Sequence, residues 1–168
     1  MTESEVYTNK ELIVMIGPIA SGKSYHVNKH YVRSHQIISE SHIQNGMSFE
    51  QVPQVEDMKY AIMAVMLRAH MIRGLPIVDD EANLTIESLL ILKRFAVEYD
   101  YESKGVIIDT PIEVCVKRIE IMLDRELNED SYKRIEEEHE RFREIKQILE
   151  TKDQNILDDV VIVSYGGK

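Results

Sequence analysis

Cysteine occurs once in this chain, as Cys115, so no disulfide can form within it, and stability has to come from packing. That scarcity fits a reducing compartment. Long apolar runs are also missing, and nothing is long enough to span a bilayer. The first twelve residues, "MTESEVYTNKEL", are polar and acidic and lack the apolar centre of a secretory signal. Together these absences point to the cytoplasm. Positive charge is in deficit as well: 20 Lys and Arg stand against 30 Asp and Glu, a formal net charge of -10. With an isoelectric point near 5.1, the chain has no general attraction for a polyanion, though a local basic groove could override the overall sign. There are no repeats, low-complexity tracts or interdomain linkers. The 168 residues suffice for one hydrophobic core and read as a single domain over 1–168.

What is present is an alternation of strand-like and helix-like segments. "ELIVMIG" (Glu11 to Gly17) is an apolar, β-branched run of the kind found in buried parallel strands. A helix is expected from Lys23 to about Tyr31, and "QIIS" (36–39) is a short second strand. The polar stretch "ESHIQNGMSFEQVPQ" is too irregular for one element. A long helix follows, with Met58, Ala61, Ile62, Val65, Ala69 and Ile72 as its inward stripe and Gly74 as its stop. "LPIVDD" forms a third strand. Thr85 caps a helix whose buried positions are Leu89, Leu92, Phe95, Ala96 and Tyr99. "KGVIIDT" is a fourth strand, and Pro111 opens the helix "PIEVCVKRIEIM". After a break over 123–131, a charged helix covers Tyr132 to Leu149, and "DDVVIVSYGG" closes the chain as a fifth strand. The pattern predicts a three-layer α/β/α fold around a parallel five-stranded sheet.

Between the first strand and the first helix lies "GPIASGKS", which is G-x-x-x-x-G-K-S in the structural context that gives the pattern its meaning. Gly17 and Gly22 let the backbone curl so that the loop's N–H groups, among them those of Ile19, Ala20 and Ser21 after Pro18, can turn toward phosphate oxygens. The positive end of the following helix adds to this cradle. Lys23 is placed for the β- and γ-phosphates and Ser24 for Mg²⁺, and Pro18 and Tyr25 belong to the same expected nucleotide-binding stretch, Gly17 to Tyr25. A guanine-nucleotide switch would need an N-K-x-D loop, which is absent. An AAA-type ATPase would need an apolar strand ending Asp-Glu, which Asp80-Glu81 supplies, yet the chain carries no second helical domain. A kinase needs a phosphate cradle, a carboxylate supporting the metal, a base for the acceptor, and arginines near the transferring group. Asp80 can support the metal, and Arg118, Arg125 and Arg134 lie around the pattern break where the lid is expected, at about 119–131.

"VMIGPIASGKS", "GLPIVDDEANLT" and "GVIIDTPIEVCVKRI" together resemble, in order and spacing, the P-loop kinases related to phage polynucleotide 5′-hydroxyl kinases and zeta-toxin-type small kinases. The resemblance covers most of the chain and is carried by those three blocks. It implies a nucleotide-kinase-like P-loop fold with a short helical lid, ATP and Mg²⁺ as cofactors, and transfer of the γ-phosphoryl. It implies phosphate and metal roles for Lys23 and Ser24, metal or acceptor support from Asp80 with Asn83, and an adenine- and phosphate-side role for Arg118. The second lid arginine falls where this chain has Met122, with Arg125 as a displaced substitute. On the acceptor side, straight alignment puts Ser41 and Gln44 where the resemblance implies an aspartate base and an arginine. A one-residue shift brings in Glu40, and His42 is a third option.

The order of expected acceptors is a small hydroxyl or phosphate compound such as a nucleotide, then a polynucleotide 5′-hydroxyl. The competing class is an ATPase or regulatory ATP-binding module without an acceptor. His26 and His30, four residues apart, read as helix-surface histidines, and Glu136, Glu137 and Glu138 as a solvated helix face. Cys115 and the methionines Met58, Met63, Met66 and Met71 read as core filling. Gly166 and Gly167 follow the last strand, where they can lie near the adenine.

Overall fold

The computed structural model describes residues 9–45, 53–151 and 155–165. Its centre is β1 (Glu11–Ile16), whose five residues after Glu11 are all buried. Side chains alternate along a strand, so both of its faces must be covered. Leu12, Val14 and Ile16 point into one core and Ile13 and Met15 into another. Each such side chain contributes about 1.5–3 kcal/mol when fully buried.

The chain proceeds through α1 (Lys23–His30), β2 (Gln36–Ile38), α2 (Glu40–Asn45), α3 (Pro53–Ile72), β3 (Ile77–Asp79), α4 (Ile86–Tyr99), β4 (Glu102–Asp109), α5 (Ile112–Leu123), α6 (Glu129–Glu150) and β5 (Asp159–Ser164). All strand pairs are parallel and the sheet order is β2-β3-β1-β4-β5. The three-layer P-loop fold read from the sequence is the fold observed. The larger core joins one sheet face to α3, α4 and α6 through Leu67, Met71, Leu89, Leu92, Phe142 and Ile145. On the other face Val27 of α1 packs against Val78, Val106 and Ile108.

The strand order places the site. From β1 the chain goes out to the β2 edge, returns as β3 beside β1, then crosses to β4 on the opposite side. Connections therefore leave β1 in opposite directions, and a crevice opens at the carboxyl ends of β1, β3 and β4. Thr85 caps α4 as expected, its Oγ1 accepting from Ser88 N–H at 3.2 Å.

Several expectations need correction. Residues 40–45 are helical, forming α2 within the stretch read as irregular. α6 starts at Glu129, three residues early, because Asn128 accepts from Ser131 N–H and caps it. With α5 running to Leu123, the expected lid over 119–131 is the last turn of one helix, a short turn, and the first turn of another.

The inward stripe of α3 is also different. Leu67 and Met71 are buried, and Met63 and Met66 pack beside them. Met58, Val65 and Ile72, from the expected stripe, are exposed. The helix is apolar nearly all round, so periodicity alone could not say which side faces the sheet.

Candidate active site

The loop after β1 is held by its neighbours at almost every residue. Gly17 N–H donates to Ala82 O at 3.1 Å, tying the loop to the segment after β3. A Cβ on Gly17 would lie 2.9 Å from Ser21 Oγ and 3.1 Å from Ile108 O, so only glycine fits. Gly22 has φ 108°, a backbone region closed to other residues without strain, and it is the residue from which α1 departs.

Two cations hold the loop's carbonyls. Lys23 Nζ donates to Gly17 O at 2.7 Å and Pro18 O at 2.9 Å. Arg118, on α5, donates from one guanidinium nitrogen to Ala20 O and Ser21 O, both at 2.9 Å. Thr110, at the end of β4, adds an O–H bond to Ser21 O at 2.8 Å.

The amide side of the loop faces an anion. Ile19 N–H donates to the Glu138 carboxylate of α6 at 2.6 Å. Glu138 therefore does not belong to the solvated face with Glu136 and Glu137, which are exposed. Burial draws the Lys23 ammonium below its ordinary pKa, while Glu138, then Asp80 and Glu81, push it back up. An internal carboxylate thus occupies one amide of a cradle suited to phosphate.

Beyond the loop lies a cleft of about 500 Å³, lined by Gly22, Lys23, Ser24, Tyr25, Arg118, Met122 and Tyr165. Tyr25 and Tyr165 meet edge to face at 6.0 Å, and Tyr165 OH shares a 2.8 Å hydrogen bond with His26 Nδ1. His26 is accordingly buried, packed on His30 at 4.4 Å between ring centres, and is not a surface histidine. Met122 lines the cleft at the place where a second lid arginine was expected. Arg125 is exposed in the turn after α5, outside that lining, and Arg134 is exposed on α6. Gly166 and Gly167 lie outside the described residues.

β3 delivers the acidic side. Asp80 is hydrogen-bonded to the Ser24 side chain; burial raises its carboxyl, and Ser24, Lys23 and His42 oppose the rise. Asp80 Oδ1 is buried and has no hydrogen-bond partner. An orphaned carboxylate oxygen beside a hydroxyl, next to a phosphate loop, is the donor set expected for Mg²⁺ that also takes phosphate oxygens. Ser24 and Asp80 fit the ion. The preceding Asp79 is fully buried and its carboxyl is pushed up to about 7, chiefly by burial. It accepts from Asn83 Nδ2 at 2.6 Å, and the same nitrogen donates to Met15 O at 2.9 Å. Asn83, at φ 50°, thereby staples the post-β3 turn to β1.

A second cleft, of about 650 Å³, opens on the other side of this acidic turn, between α3 and α4. Glu40 lines it, held by Lys59 Nζ at 2.7 Å, and Glu81 lines it while accepting the backbone N–H of Glu40. Burial raises the Glu81 carboxyl. Ser41 is engaged with Ser39, hydroxyl to hydroxyl at 2.7 Å, and His42 is exposed. The side chain of Gln44 falls outside the described residues.

Sequence reasoning overlooked Glu138, Thr110, Tyr165 and Asp79. Thr110 and Tyr165 directly follow strands β4 and β5 at the crevice, a positional signal that was available. Glu138 carried none, being one of many carboxylates on α6.

A search of characterised proteins by sequence finds no match. Among solved structures, a chain of the Pnkp1/Rnl/Hen1 RNA repair complex is similar at TM-score 0.67 and 17% identity, over 88% of this chain and 49% of that one. A second structure of the Pnkp1/Rnl/Hen1 complex gives TM-score 0.56 at 19% identity, over 66% and 39%. This chain thus spans less than half the length of those relatives. A candidate kinase from Chloroflexus aurantiacus gives TM-score 0.62 at 11% identity, over 94% of this chain and 89% of that one. The tunicamycin resistance protein of Deinococcus radiodurans gives 0.54 at 13%, over 92% and 86%. At such identities the likeness is one of fold. The sequence model described as an AAA domain matches residues 12–150, most of the chain, and the protein therefore belongs to that P-loop family.

Proposed function

We propose that this protein is an ATP- and Mg²⁺-dependent kinase that moves the γ-phosphoryl of ATP to a small acceptor hydroxyl. One observation carries the reading: the acidic turn after β3 joins two clefts. Asp80 pairs with Ser24, which lines the nucleotide cleft, and its neighbours Asp79 and Glu81 line the second. A donor in the first cleft and an acceptor in the second would meet at this turn, the arrangement that in-line transfer requires.

In this reading Tyr25, Tyr165 and Arg118 border the adenosine end, and the loop amides, Lys23 and Arg118 hold the phosphates. Mg²⁺, when held by Ser24 and Asp80 with the phosphates, supplies charge neutralisation for the departing ADP. Glu40 takes the proton of the acceptor O–H as the new O–P bond forms and the bond to ADP breaks. Lys59 fixes the Glu40 carboxylate, and Glu81 fixes its backbone. The kinase description attached to the Chloroflexus protein supports this reading by likeness alone.

The AAA description and the Asp80-Glu81 pair favour a second reading, ATP hydrolysis without an acceptor. Against it, one Glu81 oxygen is already engaged by the Glu40 amide. The test uses γ-labelled ATP with Mg²⁺ and a panel of nucleosides, nucleoside monophosphates, small alcohols, a 5′-hydroxyl oligonucleotide and a no-acceptor blank. Label should pass to one acceptor class. Lys23→Ala should abolish transfer, and label released equally with and without acceptors would replace the kinase by the hydrolase. Glu40→Gln should cut transfer by about 10²-fold or more with ATP binding intact, whereas Glu81→Gln should cost less because Glu81 acts through Glu40. The reverse order would make Glu81 the base.

A further inference from the structure

Resting on that kinase reading, we propose that the cleft between α3 and α4 takes an uncharged or cationic alcohol with an apolar or aromatic body, and rejects acceptors that bear a phosphate. The walls are apolar. Tyr60, Met63 and Leu67 come from α3, and Ile91, Leu92 and Phe95 from α4. At about 650 Å³ the cleft has room for a small organic molecule to be largely buried.

Apart from the neutral Tyr60, Asn83, Thr85 and Ser88, the polar side chains are all carboxyls. Glu40, Asp79, Glu81 and Glu87 line the cleft, and no lysine or arginine does so among the described residues. The cations near the cleft are engaged within the protein, Lys23 among them through the carbonyls of Gly17 and Pro18. Lys59 donates to Glu40, and the Arg68 guanidinium stacks 5.1 Å over the Phe95 ring. A phosphate entering here would be desolvated against carboxylates without the bidentate or amide partners that anion sites use. A neutral hydroxyl meets no such penalty, and an ammonium would gain from the same carboxylates. Thr85 and Ser88, at the first turn of α4, can orient a hydroxyl by hydrogen bonding.

The cleft's selectivity shows in binding, so the test reads binding on the whole, isotope-labelled protein by amide chemical shifts. Three matched probes are titrated: 3-phenylpropan-1-ol, the amino alcohol phenylalaninol, and 3-phenylpropyl phosphate. Up to about 10 mM, where ligands of this size are expected to bind, the first two should shift the amide signals of Thr85 and Ser88. The phosphate should bind at least about tenfold more weakly.

Ile91→Glu alters a cleft residue that is 55% exposed, so the fold should tolerate it. This variant should weaken the neutral probe by about tenfold or more while leaving ATP-induced shifts at Gly22 to Ser24 unchanged. Equal or tighter binding of the phosphate, or no shift from any probe, overturns the proposal. The same spectra follow ATP at the loop independently, and the labelled-ATP panel tests transfer. A failed kinase reading is thereby distinguishable from a failed acceptor class.

Discussion

Asp79 and Asp80 are neighbours in the chain that the fold puts to different uses. Asp80 faces Ser24 at the crevice, whereas Asp79 is fully buried against Asn83 and its carboxyl is pushed up to about 7. In the unfolded chain an aspartate loses its proton near pH 4, so between about 4 and 7 the folded protein holds a proton that the unfolded chain has released. Stability contributed by this group must then fall as pH rises through that window. Asp79→Asn keeps an oxygen that can accept from Asn83 and removes the titration. The difference in Tm between the variant and the parent should shift in the variant's favour from pH 4 to pH 7. A difference that stays flat across the window would show that Asp79 is ionised in the folded protein.

At the scale of elements, α6 is the piece whose role the sequence concealed. Its Glu138 reaches the Ile19 amide in a loop that would otherwise present that amide to a phosphate, and Lys146 farther along pairs with Asp109 at the end of β4 at 2.7 Å. The helix is thereby tied to the loop and to the end of β4. A nucleotide has to displace the Glu138 carboxylate to use the same amide. Glu138→Gln keeps the length and removes the charge, so ATP affinity should rise by about threefold to tenfold, the worth of one competing hydrogen bond. Calorimetric titration reads it, and unchanged or weaker affinity would make Glu138 a partner of the nucleotide instead of its competitor.

Legibility divides along the same lines. The loop could be read because Gly17, Gly22, Lys23 and Ser24 are fixed by local backbone geometry at fixed spacing, and the sheet because β1, β3 and β4 are short apolar runs bounded by turns. α4 could be read from its cap and stripe. α3 misled because a helix apolar on nearly every side has no single stripe, so packing on the sheet, and not periodicity, decided that Leu67 and Met71 face inward. The second cleft could not be read at all. Its walls come from α2, β3, α3 and α4, elements that meet only in the folded chain.

The whole molecule carries its formal charge of -10 on a surface where both clefts have acidic neighbours: Glu138 at the loop, and Glu40, Glu81 and Glu87 at the second cleft. The nucleotide cleft offsets this locally with Lys23 and Arg118, both pinned to loop carbonyls. At the second cleft Lys59 is paired with Glu40 and Arg68 lies over the Phe95 ring, and no lysine or arginine is among its described lining residues. A polynucleotide end would therefore have to bring a chain of phosphates toward repulsive surface, with few lysines or arginines to release counterions. The likeness to a chain of an RNA repair complex, at 17% identity, is one of fold alone. A fluorescent single-stranded 5′-hydroxyl oligonucleotide titrated at physiological salt should show no saturation below about 100 µM, the weak end of non-specific binding. Lowering the salt should help little, since the slope of log K against log salt counts neutralised phosphates and should stay near zero. Micromolar binding with a steep slope would instead reveal a basic track, and would move the 5′-hydroxyl of a polynucleotide ahead of small alcohols as the acceptor.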